Sequence, residues 1–209
     1  MSQPNPQVPR PRIQGLSDLI FGLALSIVAI QFVGNLPKDA GGLNSDLATF
    51  AFSFLILINV WNRYTSTTSV MPVESGWMVR LNMVLLFLVA VEPFLFDVMV
   101  VQGLSTSAGQ AASVYYGFDI GGMNLILAYF THILTQEEKN LIPRELIHRY
   151  KVTRNVLLAA AVVFLAADLP FFSAIGPGGE PLRVDLWILS LPLIWVPRFV
   201  GERLHRQKA

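Results

Sequence analysis

Apolar residues along this chain gather into six runs, each close to the roughly 20 residues that a helix needs to cross a bilayer. They cover residues 16–34, 44–64, 78–102, 108–134, 153–172 and 182–200. The pattern predicts an all-α membrane protein with six transmembrane helices per subunit. In the first run Leu23, Ile27 and Ile30 stack at i, i+4 and i+7, an aliphatic stripe on one helical face. Beside it Gly15, Gly22 and Ala29 recur every seven residues, and Gly22-x-x-x-Ser26 adds a second small step, so a neighbouring backbone can come close along that line. Such a stripe ordinarily packs in a core or faces lipid. Turned toward a symmetry axis, it would form hydrocarbon rings that gate by dewetting.

Composition agrees: the 209 residues are 53% hydrophobic and 14% charged, too apolar for a soluble domain that must cover itself with polar surface. Charge placement then orients the helices. Of 15 basic residues, 13 fall on one side of a six-span topology (Arg10, Arg12, Arg63, Arg80, Lys139, Arg144, Arg149, Lys151, Arg154, Arg198, Arg203, Arg206 and Lys208), and only Lys38 and Arg183 on the other. The positive-inside rule puts both termini and the loop 136–154 in the cytoplasm. Residues 1–11, with Pro4, Pro6, Pro9 and Pro11, read as a disordered cytoplasmic tail and not a cleaved signal; 12–200 form one six-helix domain, and 201–209 a basic cytoplasmic tail. The absence of Cys removes disulfides, thiolate metal sites and cysteine nucleophiles together.

The connections 37–42 and 176–181 are short and rich in Gly and Pro, and the alternating acids and bases of 136–153 suit a solvated link or a contact with anionic headgroups. No internal repeat is visible, so a pore on a symmetry axis needs several copies of the chain. At the mouth of the first run stand Arg12, Ser17 and Asp18. An acid so near hydrocarbon persists where it meets water or a polar partner. Arg12 and Asp18, six residues apart, lie about 240° apart around the helix and cannot pair along one face. Partners at the same depth are Trp61, Tyr64 and Asn82; headgroup contact and simple capping are the alternative.

These residues resemble the transmembrane protein 175 family, comprising the lysosomal potassium channel and single-repeat prokaryotic relatives, whose hallmark is Arg-x-x-x-Phe-Ser-Asp at the start of the first helix. Here it reads Arg12-x-x-x-Leu16-Ser17-Asp18, followed by Trp61 near the end of the second helix and by Leu81-Asn82 and Pro93-Phe94 in the third. The resemblance implies a homotetramer whose first helices line a central cation pathway without a carbonyl filter. By position it implies a hydrophobic gate at Leu23, pore-lining Ser26, Ile27 and Ile30, and a polar brace of Arg12, Ser17, Asp18, Trp61, Tyr64 and Asn82. It further implies permeant potassium and other monovalent cations with no cofactor, and residence as a multi-pass protein in a prokaryotic cytoplasmic membrane, in contact with lipid. Two departures stand out: Leu16 replaces the hallmark Phe, and Tyr64 occupies the position of a family His, which puts any pH response carried by that His in doubt.

Other polar residues leave room for other readings. Glu92, Asp97, Asp119 and Asp168 fall within apolar runs, where ionisable groups are functional candidates by default. Asp97 and Asp168 suit interfacial solvation, and Glu92 and Asp119 suit buried hydrogen bonds between helices. Gly117, Gly121 and Gly122 suit close helix packing more than a hinge, and Trp77, Trp187, Trp195, Tyr115, Tyr116 and Tyr129 suit belt or packing positions. His132, His148 and His205 form no i, i+4 metal pair, and there is neither a nucleophile elbow nor a phosphate-cradling loop, so an enzyme is not expected. Scattered basic residues give no nucleic-acid surface. A proton-coupled transporter using Glu92, Asp97 or Asp119, and a non-conducting scaffold, remain the competing functions.

Overall fold

The computed structural model describes residues 12–31, 37–71, 76–176 and 181–190, the side chains of 12–14 and 31 excepted. The helices are α1 (Arg12–Gln31), α2 (Ala40–Thr68), α3 (Gly76–Gln102), α4 (Ser107–Leu134) and α5 (Arg144–Ala167). Residues 182–190 form the described part of a sixth, α6. Among the described residues, α2, α3 and α5 are long and apolar enough to cross a membrane, and the apolar part of α1, Gly15–Ile30, is shorter. The tails 1–11 and 201–209 and the second half of the expected sixth span lie outside the described residues.

Local chemistry sets the helix ends. Asp39 accepts from the Gly42 amide at 2.7 Å and caps α2; Thr106 accepts from the Gly109 amide at 3.1 Å and caps α4. Between α3 and α4 the chain reverses in four residues, with Gly103 at φ +72, a conformation that favours glycine. The Gly103 carbonyl then accepts from both the amide and the hydroxyl of Thr106, at 3.2 and 3.0 Å. Gly109, in the first turn of α4, lies directly against that carbonyl.

α5 begins at Arg144, just after Pro143, nine residues before the apolar run that announced it. Its first turns are charged and lie along the surface, where a helix needs no apolar residues to keep its backbone bonded. The expected loop therefore shrinks to residues 135–143, held partly by a Lys151–Glu137 ion pair at 3.3 Å. At its other end α5 stops at Ala167, short of the expected Phe172, because Pro170 begins a separate 3-10 turn.

α4 is the centre of the bundle, packed on α3 along one side and α5 along the other, with α1 resting on α3 and α2. Leu57, Leu85, Val89, Ile120, Met123 and Leu127 fill the shared core. α6 closes it through Trp187, whose ring lies 5.3 Å from Tyr116 and 5.9 Å from Phe164. Close approach of α4 and α5 relies on small residues: a Cβ on Gly117 would meet the Asp168 carboxylate, and one on Gly121 would fall 2.8 Å from Leu165. With lipid as apolar as leucine, this contact is favoured by packing and not by exclusion of water.

Candidate functional site: the first helix and its attachment

α1 has two apolar faces with different fates. Phe21, Ala24 and Val28, at i, i+3 and i+7, are buried against the bundle, Val28 at 0% exposure. Leu16, Leu19, Leu23, Ser26 and Ile30 face away, with Leu23 at 59% exposure. Spacings of three, four, three and four residues make these five the a and d positions of a heptad seam, the pattern by which helices wrap around one another. The outward stripe thus differs from the expected one: Leu16 and Leu19 extend it, and Ile27 sits at its margin, half-buried. The small residues are equally unused among the described residues, where a Cβ on Gly15 or Gly22 would meet nothing within 4 Å. Ser26 donates its hydroxyl hydrogen to the Gly22 carbonyl at 2.8 Å, leaving only its oxygen lone pairs to the outward face.

The N-terminal end of α1 is tied to α2 by two side-chain bonds. Ser17, fully buried, lies 2.6 Å from the Tyr64 hydroxyl, and the Trp61 indole donates to Asp18 at 3.3 Å. The Tyr64 ring also stacks obliquely on Phe21, with centroids 5.5 Å apart. Asn82 from α3 is buried beside the Tyr64 hydroxyl. Tyr64, the departure from the family pattern, is therefore built into the attachment of α1. The structure brings together Ser17, Asp18, Trp61, Tyr64 and Asn82; the Arg12 side chain lies outside the described residues.

Tyr64→Phe keeps the ring stacking and removes the bond to buried Ser17, and is expected to cost about 1–3 kcal/mol. In Ser17→Ala/Tyr64→Phe both polar ends are gone. Its melting temperature in detergent is therefore expected to fall by less than the sum of the single changes; strict additivity would show that the two hydroxyls do not act as a pair.

The remaining acids depart from expectation in two cases, Asp119 and Asp168. Glu92 is fully buried and accepts from Ser53 at 2.8 Å, an interhelical bond of the kind expected. Asp119 is buried at 3% exposure, yet neither of its oxygens has a hydrogen-bond partner among the described residues. Asp97 is half-buried. Asp168, expected in the interface, instead turns its carboxylate inward against Gly117, because glycine leaves room there and Arg183 lies near. Arg183, which the charge pattern placed on the outer side at the start of the sixth run, is buried at 2% exposure and donates to Ser113 at 3.1 Å. Tyr116 and Trp187 are fully buried and belong to the core, while Trp77, Tyr115 and Tyr129 are exposed. Ser53 and Arg183 are the residues that sequence reasoning missed, since nothing local marks a serine or an arginine as the partner of a distant helix. Among the described residues no three His, Asp or Glu side chains gather to hold a metal.

Comparison with known proteins places this geometry. Residues 12–93, which carry the whole attachment of α1, match the family model described as endosomal/lysosomal potassium channel TMEM175. A lysosomal potassium-selective channel TMEM175 homolog from Chamaesiphon minutus superposes with a TM-score of 0.59 at 16% identity, covering 89% of this chain and 96% of that one. The potassium channel MtTMEM175, as a variant in complex with a nanobody–MBP fusion, superposes with a TM-score of 0.58 at 17% identity, covering 97% and 100%. No curated protein matches. These relatives are potassium channels and not enzymes. The chain thus matches the TMEM175 family model from the hallmark segment into the third helix, and shares its fold with both of these channels over nearly its full length.

Proposed function

We propose that the protein is a homotetrameric, potassium-preferring cation channel of a prokaryotic cytoplasmic membrane, with both termini cytoplasmic and the α1 helices of four copies surrounding the pathway. The observation that carries this reading is the division of α1 into a face fixed to its own bundle and an outward heptad seam with no partner among the described residues. Helices that present a and d positions converge on copies of themselves, and the unfilled Gly15 and Gly22 positions allow the close approach that such convergence needs. Leu23 is the gate in this arrangement, Ser26 and Ile30 line the path with Ile27 at its edge, and the bonds of Ser17 and Asp18 to α2 hold the seam toward the axis. The hydrocarbon lining supplies a dewetting constriction in place of a carbonyl filter. Lipid surrounds the assembly, and no cofactor enters the mechanism.

Purified protein in liposomes is expected to carry a potassium-driven flux that exceeds the flux with sodium and is absent from empty vesicles. Equal leakage from both kinds of vesicle would overturn the channel reading. Saturable, pH-driven uptake of an organic solute would favour a transporter instead.

A further inference from the structure

Away from α1, several buried carboxylate oxygens have no hydrogen-bond partner among the described residues. Glu92 on α3 is fully buried: one carboxylate oxygen accepts from Ser53 on α2 at 2.8 Å, and the other has no partner among the described residues. Asp119 on α4 is buried with both oxygens unserved, and acts electrostatically on the same region as Glu92. The Tyr116 hydroxyl, one turn earlier on α4 and fully buried, stands against both acids with no well-formed hydrogen bond of its own. Pro93, directly after Glu92, has no N–H to return to the Val89 carbonyl, which adds one more acceptor to this stretch of α3.

Among the described residues no basic group acts on Glu92 or Asp119. From α2 the polar neighbour is Ser53, and from α4 it is Tyr116. Asp168 at the end of α5 and Arg183 on α6 interact with each other, Arg183 donating to Ser113. Asp18 on α1 is engaged with Trp61 at the far end of that helix. The walls are apolar and closely packed, with Val89, Phe96, Ile120 and Met123 all buried in the same core. An ionised carboxylate left in such a place without a counter-charge costs several kcal/mol, and a second one beside it adds repulsion. A positive ligand must therefore accompany the pair. A hard metal cation with oxygen ligands takes about six or more of them, and no cluster of three ligating side chains exists among the described residues. A proton needs no room.

We propose that Glu92 and Asp119 form a proton-binding site inside each subunit, separate from the α1 seam, with the proton held between the two carboxyl groups and the Tyr116 hydroxyl. The site does not depend on α1 lining a pathway. It removes one of the two negative charges that Glu92 and Asp119 would otherwise bring into the α2–α3–α4 core, and with it their mutual repulsion, and supplies a donor that Asp119 otherwise lacks among the described residues.

Infrared spectroscopy of the purified full-length protein in potassium buffer at neutral pH tests the proposal directly. The carbonyl stretch of a protonated carboxylic acid is expected, moving to lower frequency in D2O. It should be lost or diminished in Asp119→Asn or Glu92→Gln, shifted in Tyr116→Phe, and retained in Asp97→Asn. Should the variants fail to fold, protein grown with carbonyl-labelled aspartate or glutamate reports the same band in the native sequence, since acids exposed to water are ionised at that pH. Absence of any protonated-carboxyl band, or a band that neither label moves, overturns the proposal. Carboxylate bands that respond instead to exchange of potassium for choline would assign a metal cation to the site and overturn it equally.

Discussion

Replacing Leu23 by alanine is expected to raise potassium flux in reconstituted liposomes about tenfold and to reduce discrimination against sodium. The side chain stands out on the α1 seam at 59% exposure, so its removal leaves no cavity inside the subunit. Folding should change by no more than about 0.5 kcal/mol, as for other substitutions outside a packed core. A hydrophobic constriction resists water and ions through the apolar surface that it presents, at about 0.8 kcal/mol per methylene. A tenfold change needs only about 1.4 kcal/mol of barrier, less than two methylenes summed over the whole ring, so the change is more than sufficient. Once wetted, the ring no longer forces ions to shed water, and the preference between cations narrows. Val28→Ala provides the contrast: the same helix, but a fully buried residue on the opposite face, where the loss should fall on stability and leave permeation alone. Unchanged or lower flux in Leu23→Ala at equal protein density would remove Leu23 from the pathway.

Gly109→Ala is expected to be the most damaging single methyl addition at a glycine of the described structure. Helix propensity alone favours the change by about 1 kcal/mol. The added carbon, however, would be driven into the carbonyl of Gly103, backbone that cannot swing aside as a side chain can. That carbonyl is held in turn by the amide and hydroxyl of Thr106, and Gly103 itself is locked at φ +72. Overpacking of this kind costs about 1–3 kcal/mol or more and should outweigh the gain in propensity. The expected result is a melting temperature in detergent lower by roughly 3–10 °C. Gly76→Ala, at a position with nothing within 4 Å, should leave it unchanged. Equal melting of Gly109→Ala and the native protein would mean that the α3–α4 reversal is not closed as described.

Much of the architecture was legible because long apolar helices announce themselves by the length of their apolar runs. α3 and α4 begin within two residues of their expected starts and end where expected. α5 was harder to bound. The residues from Arg144 to Arg154 continue it as a solvated helix, and hydropathy has no way to tell a charged helix from a charged loop. The hallmark at Ser17 and Asp18 pointed to α2 by depth, and the geometry joins Ser17 to Tyr64 and Asp18 to Trp61. The outward face of α1 could not be read as well. Phe21, Ala24 and Val28 are as apolar as Leu16, Leu19 and Leu23, so no contrast of polarity marks which side the bundle takes. The inward turn of Asp168 and the burial of Arg183 depend on contacts between α4, α5 and α6, and no single segment encodes them.

One small bond on α1 bears on which ions the proposed pathway would welcome. With its hydrogen committed to Gly22, Ser26 has nothing to give an anion and can only offer electron density. Four such oxygens around an axis would solvate a bare positive ion and repel chloride, so the sign of the permeant charge would be selected by an ordinary turn of helix, without any acidic residue in the bore.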